Sequence, residues 1–137
     1  MIKIFAIVTL LFTSSAFGLT DKELTDVLTA IRIVESNNNP DAVGDSGNAI
    51  GVYQIWKVYH QDATKFSGIG GNYRDCFDSV YADKVVRAYM ARYATENRLG
   101  RSVTMEDVAR IHNGGPNGYK KKATLKYWEK VQRELSK

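Results

Sequence analysis

The chain has 137 residues, 44% of them apolar and 25% charged, with a formal net charge of +4. That length and balance suit one globular domain and exclude a disordered or low-complexity chain. A single cysteine, Cys76, excludes an internal disulfide, so stability must come from the core and its hydrogen bonds.

Met1-Ile2-Lys3 places one positive charge ahead of an apolar run from Ile4 to Phe12, and small or hydroxylated residues follow. The run is too short to span a bilayer as a helix but has the layout of a secretory leader. Ala16-Phe17-Gly18 carries small residues at the positions a signal peptidase reads. The expected organisation is therefore a signal peptide over 1–18 and one domain over 19–137. The protein would then be exported, extracellular or periplasmic in a bacterium, without stable membrane insertion. A buried N-terminal helix or an anchor is the competing reading.

Thr20 stands three residues before Glu23, the spacing of a capping box. Leu24, Val27, Leu28, Ile31 and Val34 then recur at helical spacing, and Asn37-Asn38-Asn39-Pro40 ends the helix. From Asp41 to Ile55, Gly44, Gly47 and Gly51 punctuate short apolar pieces, which predicts a small hairpin or irregular sheet around a turn at Asp45–Asn48. A helix is expected from about Trp56 to Phe66, then a glycine-rich loop. A longer helix is expected from Asp78 to Arg98, with Tyr81, Val85, Tyr89 and Tyr93 as a core stripe. Thr104 can cap a further helix reaching Ile111, which the turn-rich run His112–Gly118 interrupts. A last helix over Thr124–Leu135 carries Leu125, Trp128 and Val131 on one side. The sum is mainly α with one short β element (α+β).

Cys76 reads as a half-buried apolar filler and not as a nucleophile. Between Tyr119 and Lys137 seven Lys or Arg residues face only Glu129 and Glu134. A solvated helix face explains this, and so does attraction to a polyanionic bacterial envelope. No nucleic-acid motif accompanies the charge.

Glu35 lies eleven residues after Leu24, which at ~100° per residue returns it to within roughly 20° of the same direction. Its carboxyl therefore points with the apolar stripe. Charges on such a face are rare unless paired or functional. A carboxyl held against apolar walls is harder to ionise, as a general acid near neutral pH requires. The bland alternative is a frayed last turn in which Glu35 swings to solvent or meets Arg32.

The run Glu35-Ser36-Asn37-Asn38-Asn39-Pro40-Asp41-Ala42-Val43-Gly44, followed by Gly51-Val52-Tyr53-Gln54-Ile55, resembles the signature of lysozyme-like domains, which soluble lytic transglycosylases share. The run Ala109–Gly118, with Thr124-Leu125-Lys126-Tyr127-Trp128-Glu129-Lys130-Val131, is similar to the C-terminal part of invertebrate-type (destabilase-like) lysozymes. The resemblance implies a lysozyme-like fold with a small β-hairpin after the first helix. It implies Glu35 as catalytic acid and a second carboxylate on the hairpin, for which Asp45 is the candidate and Asp41 the fallback. Tyr53 and Gln54 match the segment lining the family's groove, and His112 and Asn113 a loop closing it, so these four are the expected substrate contacts. Core packing is the alternative for Tyr53, and a helix-end hydrogen bond for His112.

The implied activity is hydrolysis of the β-1,4 bond between N-acetylmuramic acid and N-acetylglucosamine in peptidoglycan. The protein would be a bacteriolytic monomer needing neither metal nor cofactor and binding no nucleic acid. The alternatives are lytic transglycosylation to a 1,6-anhydro product and a non-catalytic, wall-binding antimicrobial protein. The family is usually disulfide-rich, so a chain with one cysteine reads as a divergent branch.

Overall fold

The structure is a computed structural model, described here over residues 18–137. The expected signal peptide falls almost wholly outside the described residues. No helix among the described residues is long and apolar enough to cross a membrane.

Helix α1 spans Asp21–Ser36. The Glu23 amide donates to the Thr20 hydroxyl and the Thr20 amide to the Glu23 carboxylate, so two orphan donors of the first turn are satisfied reciprocally. Leu24, Val27, Leu28, Ala30 and Ile31 are buried along one face. Asn37 and Asn38 take left-handed φ of 53° and 62°, which asparagine tolerates better than most residues. The chain therefore leaves the helix abruptly, with Glu35 held in its last turn.

Strands β1 (Val43–Gly44) and β2 (Ala49–Ile50) form the expected hairpin, with Val43 opposite Ile50 and Gly44 opposite Ala49. A single antiparallel bridge from Ile50 to Ile55 extends the pairing beyond the hairpin. Helix α2 covers Lys57–Ser67 and α3 covers Ser79–Tyr93. The tyrosine stripe does pack the core: Tyr89 is buried and its ring stacks on Tyr59 with centroids 3.6 Å apart.

Three expectations are corrected. The single helix expected over Asp78–Arg98 breaks at Ala94, and Thr95 caps a separate short α4, Glu96–Leu99, by accepting from the Arg98 amide. The Arg98 guanidinium donates to the Tyr93 carbonyl that the break leaves open, so the interruption costs little. Helix α5 runs Met105–Gly114, three residues beyond the expected stop, which places His112 inside its last turn. Cys76 is fully buried, and burial pushes its thiol up to about 12, so it carries no thiolate at neutral pH.

Helix α6, Leu125–Leu135, closes the domain across α1 and α5. Its buried side holds Val131 with Tyr127, Trp128 and Leu135 packed against the core, while Leu125 is exposed. Thr124, Tyr127, Trp128, Val131 and Leu135 share one helical face.

Helix α5 is anchored by Asp107, which is 1% exposed. Its carboxylate accepts from the Thr104 amide at 2.9 Å and takes both Arg101 guanidinium nitrogens at 2.7 and 2.8 Å. Burial alone would push its pKa up, but Arg101 and Thr104 outweigh burial and hold it low. This stabilisation is present above the unfolded carboxylate pKa and is lost as pH falls through the lowered folded value. Asp107→Asn should cost about 2 kcal/mol at neutral pH and progressively less toward pH 3, read from denaturant midpoints. An equal loss at both pH values would mean that the charge is not what stabilises the cap.

Candidate active site

The site grows from the end of α1. Ser36 donates its hydroxyl to the Val52 carbonyl at 2.8 Å and also to the Arg32 carbonyl, tying the chain after the hairpin to the helix end. Gln54 completes the frame. It sits at φ 51°, and its amide Nε2 donates to the carbonyls of Ala42 and Gly51. A Cβ at Gly44 would meet the Gln54 Oε1, so a larger residue there would push the Gln54 side chain out of this position. The hairpin is thereby docked beside the last turn of α1.

Glu35 is largely enclosed, its side chain 18% exposed. Burial is the main cause that raises its pKa from 4.5 to about 7, and the Asp45 charge adds to it. Tyr127 and Lys130 pull the other way. The Tyr127 hydroxyl is buried beside the carboxyl, close enough to favour its charged form, yet it is the one buried side-chain polar atom among the described residues without a hydrogen bond of regular geometry. It is placed to donate to Glu35 once the carboxyl has lost its proton.

His112 forms the adjoining wall, with Nε2 4.0 Å from a Glu35 oxygen. The same Nε2 lies 3.0 Å from the Tyr53 carbonyl, which can only accept, so Nε2 carries the proton. Nδ1 is then bare and accepts from the Tyr59 hydroxyl at 3.0 Å. Burial lowers the His112 pKa to about 4, against a smaller upward pull from the Tyr53 carbonyl. The ring is therefore neutral where Glu35 is protonated, and the contact is not an ion pair. His112 shapes and seals the pocket around Glu35 but has no free nitrogen for proton transfer.

Asp45 sits in the hairpin turn at φ 50°, followed by Ser46 at 57°, a sparsely populated geometry that aspartate accepts better than bulky residues. Its side chain is exposed, and one oxygen accepts from the Trp56 indole N–H at 3.2 Å. One enclosed carboxyl and one solvated carboxylate thus stand within electrostatic reach of each other. Different environments push two such groups toward acid and base roles.

The family profile described as Destabilase matches residues 25–134. The chain belongs to the Destabilase family. A lysozyme of Magallana gigas is 41% identical over 85 residues, which cover 61% of the chain and 58% of that relative. Invertebrate-type lysozyme 6 of Caenorhabditis elegans is 33% identical over 116 residues, covering 79% and 84%. The chain spans about half the length of the first curated relatives it matches. Among solved structures, an inhibitor-bound lysozyme from Meretrix lusoria aligns with TM-score 0.67 at 33% identity, over 85% of this chain and 90% of that one. The Tapes japonica lysozyme aligns with TM-score 0.66 at 31% identity over the same shares. The fold is lysozyme-like, mainly α with a two-stranded hairpin after the first helix.

Within this Destabilase-family chain, the expected contacts separate into two kinds. The Tyr53 side chain is completely buried, its hydroxyl donating to Asp83 at 2.7 Å, so it offers no face to a sugar. Core packing wins because the residue follows fully buried Val52 and its ring lies edge-on to His112. Only its carbonyl serves the site, through His112. Gln54 spends its amide nitrogen on the hairpin's own carbonyls. Asn113 is exposed next to His112 on α5.

The glycines after α5 also have a structural explanation. A Cβ on Gly118 would run into the Arg110 carbonyl, so this close approach is to α5 itself and not to a ligand. The residues missed from sequence were Tyr59, Trp56 and Tyr127. The packing of α2 and α6 brings Tyr59 and Tyr127 toward Glu35, while the Ile50–Ile55 bridge sets Trp56 beside Asp45. No group of three or more His, Cys, Asp or Glu among the described residues is arranged to hold a metal ion.

Tyr127→Phe tests the local electrostatics. Removing a hydroxyl that favours the charged carboxyl should raise the Glu35 pKa further. The alkaline limb of the kcat/KM profile on cell walls should then move to higher pH, and a shift to lower pH would contradict the arrangement.

Proposed function

We propose that this chain is a peptidoglycan-cleaving glycoside hydrolase, a lysozyme that hydrolyses the β-1,4 bond between N-acetylmuramic acid and N-acetylglucosamine. The observation that carries it is the pair formed by Glu35, enclosed and with a pKa raised to about 7, and Asp45, exposed on the facing hairpin. Lysozymes among the relatives and solved structures support the same reading.

Glu35, protonated near neutral pH, gives its proton to the leaving glycosidic oxygen as the C–O bond breaks. Asp45 offsets the positive charge that develops on the sugar ring, as nucleophile or as base for the incoming water. The carboxylate left on Glu35 is met by the Tyr127 hydroxyl. Asn113 and the outer edge of the hairpin make the substrate contacts. The protein acts as an exported monomer, with residues 1–18 as its leader, and its surplus of basic residues in the C-terminal region draws it to anionic walls.

The decisive measurement is product mass after digestion of purified peptidoglycan. Hydrolysis adds one water and leaves a reducing sugar. A 1,6-anhydro product would replace the hydrolase reading by transglycosylation. Intact glycan strands in the presence of tight wall binding would replace it by a non-catalytic role.

A further inference from the structure

We propose that Trp56 is the platform on which an N-acetylhexosamine ring next to the cleaved bond is seated, and that the same side chain aims Asp45. The inference rests on the assignment of Glu35 and Asp45 above. Trp56 is 45% exposed, one of few large apolar side chains open to solvent among the described residues. Phe66 is 53% exposed too, but the Arg92 guanidinium lies over its ring. No ring or cation covers the Trp56 indole among the described residues.

The indole is held at both ends. Its backbone follows Ile55, which is buried and bridged to Ile50, and it provides the cap residue of α2. Its N–H is engaged by the Asp45 carboxylate at 3.2 Å. The pairing register explains the reach: the Ile50–Ile55 bridge sets Trp56 across from Ala49, and Ala49 pairs with Gly44, so only two small residues separate the indole from the Asp45 turn.

An aromatic side chain already fixed in orientation binds a ligand without paying for its own ordering. Its negative π face suits the slightly positive C–H bonds of a pyranose, whose β-1,4-linked ring carries its substituents equatorially and leaves its faces apolar. The occupant we assign is a sugar ring of the glycan strand, since the face lies beside the carboxylate proposed to act on that strand.

The test uses tri-N-acetylchitotriose with the full chain in a Glu35→Gln background, so that binding is read without turnover. Trp56→Ala should weaken binding about tenfold, while Trp56→Phe, which keeps an aromatic face, should stay within about threefold. The saturable change in tryptophan emission should survive in Trp128→Phe, since Trp128 packs against the core, and vanish in Trp56→Phe. In the active chain, Trp56→Phe should lower kcat with little change in KM, because Asp45 loses its donor while the ring remains. Unchanged affinity in Trp56→Ala, or no chitotriose binding by the parent, overturns the platform whatever Glu35 does. If Trp56→Ala loses binding while Glu35→Gln clears walls at the native rate, the platform stands and the assignment of the acid fails.

Discussion

Glu35→Gln should abolish wall clearing and, at the same time, make the protein more stable at pH 8. Loss of the proposed proton donor should reduce kcat by about 10²- to 10⁴-fold, measured as release of reducing ends from peptidoglycan. The stability gain has a separate origin. Burial raises the Glu35 pKa from 4.5 to about 7, so between those values the folded chain binds a proton more tightly than the unfolded one. Stability therefore falls as pH rises through that window, by roughly 3 kcal/mol in all, and stays low above it. Glutamine carries no such penalty. The variant should melt higher than the wild type at pH 8 and alike at pH 4, by calorimetry. Equal melting at both pH values would show that the carboxyl is not held in an apolar setting. The same titration predicts that wild-type kcat/KM declines as pH rises past about 7, when the acid has lost its proton.

Asp45→Asn carries the second large effect. The amide cannot offset a developing positive charge as a carboxylate does, and a loss of about 10²- to 10³-fold in kcat is expected. The asparagine oxygen can still accept from the Trp56 indole, so the hairpin should persist and the melting temperature change little. The electrostatics give a second readout. The Asp45 charge raises the Glu35 pKa, so its removal should lower that pKa and move the alkaline limb of kcat/KM to lower pH. Tyr127→Phe should move it the opposite way. Opposed shifts from two residues on different elements would show that both act on the same carboxyl. Full activity in Asp45→Asn would return the second role to another group or to the substrate itself.

Local patterning sufficed for the helices and the hairpin, because each is encoded by neighbours. The Thr20–Glu23 box starts α1, the two asparagines with positive φ end it, and the glycines between Asp41 and Ile55 bracket the turn. At two of the failed expectations, contacts across the fold take part. The helix expected through Arg98 breaks because Thr95 recaps the chain while Arg98 takes up an open carbonyl and also reaches Pro116 and Asn117 across the fold. Tyr53 sat in a recognisable segment, yet its half-buried partner Asp83 lies thirty residues away.

The sequence by itself determined that Glu35 points along the apolar face at the end of the first helix, since 3.6-residue periodicity and the cap signals are local. It also determined the hairpin that carries Asp45. Only the tertiary structure decided what surrounds that carboxyl. Tyr59 from α2, His112 from α5 and Tyr127 from α6 exclude water from Glu35, while the Asp45 turn stays solvated beside Trp56. A pKa depends on the loss of water and on charges nearby in space, and neither can be read from order along the chain.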